Sequence, residues 1–157
     1  MKKPASPQDA PQKHLDGFID RYTPEIAVQA RACLKILRSR LPGAIQLVYD
    51  NYNALAIGFS PTERPSEGIF SLVLYPGYLR LFFLQGKSVP DPDKLLEGNG
   101  NVVRSIPIGA PSDLNRPDIR ELMAAAMETA KVSFDPATPG QLIIRSISPK
   151  QRPRRTC

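Results

Sequence analysis

GIFSLVLY (68–75), Pro76-Gly77 and YLRLFFLQ (78–85) together decide the fold. Each half is an apolar run of strand length rich in branched and aromatic residues, and a turn pair separates them, so the stretch reads as a β-hairpin. Folded about Pro76-Gly77, Tyr75 stands opposite Tyr78, Val73 opposite Arg80 and Ser71 opposite Phe82 on one face. Leu74 and Leu79, Leu72 and Leu81, and Phe70 and Phe83 pair on the other. Side chains alternate along a strand, so the second set is a core face and the first a mixed one. An L-proline turn departs from the primed turns that hairpins prefer, so a bulge that inverts the outer part of this register is the rival arrangement.

Outward from the hairpin, IQLVYD (45–50) and ALAIGF (54–59) read as two more strands joined through Asn51-Tyr52-Asn53. Downstream, GKSVPDPDKLLEGNG is a loop with a short helical turn expected at DPDKLL. NVVRSIPI (101–108) and QLIIRSI (141–147) complete the strands. Leu15, Phe18, Ile19 and Tyr22 follow the i, i+3, i+4, i+7 spacing of one helical face, weakened by Gly17. Thr23, Pro24 and Glu25 supply a cap, a first helical position and an N-terminal carboxylate for a second helix. Its stripe is Ile26, Ala30, Cys33, Leu37 and Leu41, ended by Pro42-Gly43. Pro117 opens a third helix with Ile119, Leu122, Met123, Ala126 and Met127 inward. Two helices, a run of strands, a helix and a strand imply an α+β domain, with an antiparallel sheet and helices gathered on one side.

Residues 1–12, rich in Pro, Gln, Ala and Lys without periodicity, read as a disordered arm; 13–148 form one domain; 149–157 are a basic tail. With no apolar anchor after Ile147, that tail reads as mobile. At 157 residues and 41% hydrophobic, the chain is long and apolar enough for one core. No run reaches the roughly 18 apolar residues of a membrane helix, and MKKPASPQDAPQ has no apolar stretch behind its lysines, so the expected compartment is the cytoplasm with no membrane partner. Cys33 falls on a helix core stripe and Cys157 is the last residue, which is no pattern for a structural disulfide. The formal charge is +6, yet residues 14–144 hold 13 basic against 14 acidic residues. The excess therefore lies at the ends, and nucleic acid is expected to meet the chain only weakly, through PKQRPRRTC.

No catalytic constellation is visible. His14 is the only histidine and falls at the edge of the arm; there is no Gly-x-Ser-x-Gly elbow, and Glu97-Gly98-Asn99-Gly100-Asn101 lacks the Gly-Lys-Ser/Thr ending of a phosphate loop. The chain is accordingly expected to be a non-enzymatic binding or interaction domain without a cofactor. The mixed sheet face offers the most informative surface: Tyr75, Tyr78, Arg80 and Phe82, with Tyr49, Asn51, Tyr52 and Asn53 at the polar bend on its edge and Arg104 as a further candidate ligand residue. Aromatics with arginine line small anionic ligand sites, and the same residues make a subunit interface, for instance with a second copy of the chain. A third arrangement is core beneath the first helix.

The segments VYDNYNALAIGFSP, the strands around YPGY, and DPDKLLEGNG resemble the YdhG-like domains of unknown function, whose fold is similar to that of frataxin. The resemblance runs from LDGFIDRY through the third helix, and an ending like IRSISPKQRPRR recurs in one branch of that family, which implies that QRPRR docks onto the body or a partner instead of trailing freely. It implies an α+β sandwich with helices on one face of a curved antiparallel sheet. Some relatives have been proposed as iron chaperones by analogy with frataxin, whose acidic ridge lies on the first helix and edge strand. Carried over here, that alternative rests on Asp16, Asp20 and Asp50, with iron as the bound metal. Relatives carry a Gly-Met-Pro-like bend where this chain has Asn51-Tyr52-Asn53.

Overall fold

The computed structural model describes residues 9–155. Helices α1 (Asp9–Asp20) and α2 (Pro24–Arg40) come first, followed by strands β1 (Ile45–Asp50), β2 (Leu55–Ser60), β3 (Phe70–Tyr75), β4 (Tyr78–Phe83) and β5 (Arg104–Ile108). Helix α3 (Pro117–Thr129) and strand β6 (Leu142–Ile147) close the order. The six strands form one open sheet in the order β5-β4-β3-β2-β1-β6. Neighbours from β5 to β1 run antiparallel, as the sequence implies, whereas β6 lies parallel to β1 with a register shift at Val48/Tyr49. The sheet is therefore mixed, because the crossover through α3 returns the chain beside β1 in the same direction.

The hairpin keeps the expected register without a bulge: Tyr75 faces Tyr78, Val73 faces Arg80, and Phe70 faces Phe83. Its core face joins Val48, Leu55, Ile57, Phe59, Leu81 and Ile106 in one apolar cluster with the helices. Leu15, Ile19 and Tyr22 of the first helical segment are each 1% exposed or less, and α2 contributes Ile26, Ala30, Cys33 and Leu37. α3 adds Ile119, Leu122, Met123 and Ala126, with Met127 packed at the margin. Ile45, Leu47 and Val73 are buried on the sheet face turned away from the helices and stand outside that cluster.

Local chemistry sets the boundaries. The Thr23 hydroxyl accepts from the Ile26 amide at the start of α2. Past its end, Gly43 takes φ +82, and an added Cβ there would lie 1.9 Å from the Asp135 carbonyl oxygen. Pro107 sits in the outermost strand β5, where a missing N–H disrupts no central ladder.

Three boundaries differ from the sequence reading. Residues 9–12 of the expected disordered arm are the first turn of α1, and His14 is an exposed residue within that helix rather than ahead of it. Pro11 is tolerated in a first turn, and Gln12 donates to Asp16 one turn on. Residues 1–8 lie outside the described chain. DPDKLL forms a turn and no helix: the Asp91 carboxylate accepts from the Leu95 and Leu96 amides, and Lys94 takes φ 55. The fifth strand begins at Arg104 instead of Asn101.

Candidate functional site

Apart from Arg104, the sequence-predicted ligand residues separate into two groups toward one end of the sheet. The pairing Asp50–Leu55–Leu74–Leu79 runs across that end, so the β1–β2 bend and the Pro76-Gly77 turn share it. Tyr75, Tyr78, Arg80 and Phe82 project from the face away from the helices, because Tyr78, Arg80 and Phe82 alternate with the core residues Leu79, Leu81 and Phe83, and Tyr75 stands opposite Tyr78. Burial beneath α1, one of the three arrangements expected, does not occur: Tyr78 is 51% exposed.

On this outer face the Tyr75 and Tyr78 rings stack at 4.7 Å between centroids and 11° between planes. Burial, and then the neighbouring Tyr78, raise the Tyr75 phenol above its ordinary pKa, with Arg80 pulling the other way. Arg80 donates through Nε and Nη2 to Ser105 Oγ at 3.0 and 2.9 Å, and its Nη2 lies 3.6 Å from the exposed Glu97 carboxylate. Glu97 and Ser105 also exchange backbone hydrogen bonds, which fixes the Glu97 segment along β5. Arg104 does not share this face: it pairs with the core residue Phe83 at the far end of β4 and donates to the Gly100 and Val103 carbonyls, which steadies the glycine-rich loop. Tyr49 belongs to the same outer face two strands away, paired with Ala56, and its hydroxyl is buried without a hydrogen-bond partner.

Asn51, Tyr52 and Asn53 form the second group, and here the tail corrects the mobile reading. Ser148 N–H donates to the Asp50 carbonyl and Arg152 N–H to the Tyr52 carbonyl, which lays residues 148–152 against the bend. Arg154, 3% exposed, then enters the domain. Its Nη2 meets Asp50 Oδ1 at 2.9 Å and also donates to the Asn51 carbonyl; Nη1 donates to the Tyr52 carbonyl at 3.4 Å. Gln151 Nε2 donates to Asp50 Oδ2 at 2.9 Å, and Arg21 reaches the same oxygen at 3.2 Å. The guanidinium carbon of Arg154 lies 5.9 Å from the Tyr22 ring centroid, and that of Arg152 lies 5.6 Å from the Tyr52 ring. Arg155 closes the contact by donating to the Arg21 carbonyl. The anchor missing from the sequence reading is thus a buried cation in place of an apolar side chain.

Tyr22 ties this clasp to the sheet. Its hydroxyl donates to the Leu74 carbonyl at 2.8 Å and accepts from the Leu55 amide at 3.1 Å. Burial is the main cause that raises its pKa to about 12, with Arg154 acting in the opposite direction. Tyr22, Gln151, Arg154 and Arg155 went unnamed as site residues in the sequence reading. The signal was Asp50: alternation places it on the core face with Val48, and a carboxylate there requires a cation.

The iron alternative meets arginine at each of its three carboxylates. Asp16 and Asp20 flank Arg31, at 3.9 and 2.7 Å, while Asp50 is held by Arg154 and Arg21. Among the described residues no three His, Cys, Asp or Glu side chains gather as a metal site. Cys33 is fully buried and free, and Cys157 lies outside the described residues. No described helix is long and apolar enough to cross a membrane. Neither a family model, nor a curated protein, nor a solved structure matches the chain.

Proposed function

We propose that this chain is a non-enzymatic interaction domain of the cytoplasm, akin to the YdhG-like domains, whose outer sheet face docks on the same face of a second copy. The observation that carries the reading is the stacked Tyr75–Tyr78 pair, with Tyr78 half open to solvent, near Arg80 and its neighbour Glu97. Two-fold pairing requires a self-complementary patch, and a cation and a carboxylate 3.6 Å apart next to a flat aromatic pair supply one. Tyrosine and arginine are enriched at the centres of such contacts. Ile45, Leu47 and Val73 extend the apolar character of the face beyond the cluster under the helices.

Native mass spectrometry and light scattering test the reading on the 17.3 kDa chain. A dimer that Tyr78→Glu converts to monomer without loss of helix or sheet signal is the expected result. A monomer at about 100 μM, a concentration at which even weak micromolar pairing is populated, would overturn it.

A further inference from the structure

We propose that the pocket around Asp50 is a binding site for a guanidinium group, and that the chain's own Arg154 is its resident, exchangeable ligand. The site is separate from the outer sheet face, because Asp50 projects toward the helices and Tyr78 away from them.

The lining suits the two terminal nitrogens of a guanidinium. A guanidinium has donors only, in a planar fork, and favours an aromatic face. Around Arg154 the body presents acceptors: Asp50 Oδ1, the Asn51 carbonyl and the Tyr52 carbonyl, with the Tyr22 ring beside them. Asp50 is 1% exposed and built into β1, so its charge is set by the fold rather than recruited by the tail. Without the tail its remaining charged partner is Arg21, whose side chain is 45% exposed. A buried carboxylate left in that condition draws a cation strongly.

The occupant fits less completely than the pocket. Nε of Arg154 and Oε1 of Gln151 are buried without a hydrogen-bond partner. Both orphaned atoms belong to the tail, while the Asp50 oxygens are fully engaged. A tail that carries the unsatisfied Gln151 Oε1 into the pocket can be displaced by an arginine side chain on another polypeptide, which brings the same guanidinium without that glutamine.

The test uses the full chain. Arg154→Ala is expected to lower the melting temperature, and methylguanidinium at about 10–50 mM, above the millimolar effective concentration of a short tether, is expected to restore most of the loss. Methylammonium at equal ionic strength should restore little, since it is a cation without the fork. The double variant Asp50→Asn, Arg154→Ala should lose the rescue. No rescue, or equal rescue by both cations, overturns the proposal. Should Arg154→Ala fail to fold, hydrogen exchange in the wild-type chain decides. Methylguanidinium should speed exchange of the Arg152 N–H bonded to the Tyr52 carbonyl severalfold over methylammonium, and no difference between them sinks the idea.

Discussion

Tyr22→Phe removes one oxygen atom and leaves the ring that packs against the core and beside Arg154, so it isolates the hydroxyl. That hydroxyl is inserted between neighbouring strands, donating to Leu74 of β3 and accepting from Leu55 of β2. Two buried hydrogen bonds at about 1 kcal/mol each give an expected loss of ~2 kcal/mol, rising if the orphaned backbone groups find no other partner. For a domain of this length, each kcal/mol shifts the melting temperature by about 2–4 °C, so a fall of ~4–8 °C is expected. Calorimetry measures the shift, and amide exchange at Leu55 locates it: protection should drop there by more than in α2. A melting temperature within about 1 °C of the wild type, with Leu55 exchange unchanged, would refute the inference that the phenol bridges the strands.

Alkaline titration probes two buried acids together. Burial raises the Tyr22 phenol to about 12 from 10.0 and the Cys33 thiol to about 11 from 9.0, so both folded pKa values exceed the unfolded ones. Their contribution is complete below pH 9 and is lost as pH rises toward 12, with ~2–3 kcal/mol from Tyr22, and denaturant midpoints against pH should be flatter in Tyr22→Phe. In a Cys157→Ser chain, iodoacetamide at pH 8 should label Cys33 only through unfolding, at about a thousandth of the unfolded rate or less; rapid native labelling would contradict its burial. Gly43→Ala should cost roughly 2–4 kcal/mol in urea unfolding, from the positive φ and the clash with the Asp135 carbonyl; a neutral result would mean the 135–136 segment moves aside freely.

Elements with strong local punctuation were legible in the sequence. The hairpin register followed from alternation and one turn, and α2 followed from its cap and stripe. Interactions at long sequence separation were less legible. The parallel seat of β6 beside β1 depends on where the crossover lands, and no pattern within residues 141–147 encodes that partner. Residues 9–12 look disordered by composition, yet the helix extends into them from a packed face, where Arg38 of α2 donates to Gln12. The tail has no apolar anchor after Ile147 and reads as mobile by composition, although the family resemblance implies docking. Its anchor is polar, and only the core-facing parity of Asp50 hinted that a cation must arrive from elsewhere.

The span of the clasp also bears on the order in which this domain assembles. Arg154 and Asp50 are 104 residues apart, and β6 joins β1 across nearly the same separation. Contacts of such high order cost loop-closure entropy before they return any stability, so the local hairpins precede them. On the ribosome the N-terminal helices and the first five strands emerge while the β1 edge is still bare and Asp50 still lacks its main cation. Residues 142–154, which follow all of these in the chain, are those that cover both, so a premature stop near Lys150 would leave Asp50 without Arg154 and ranks among the more damaging truncations.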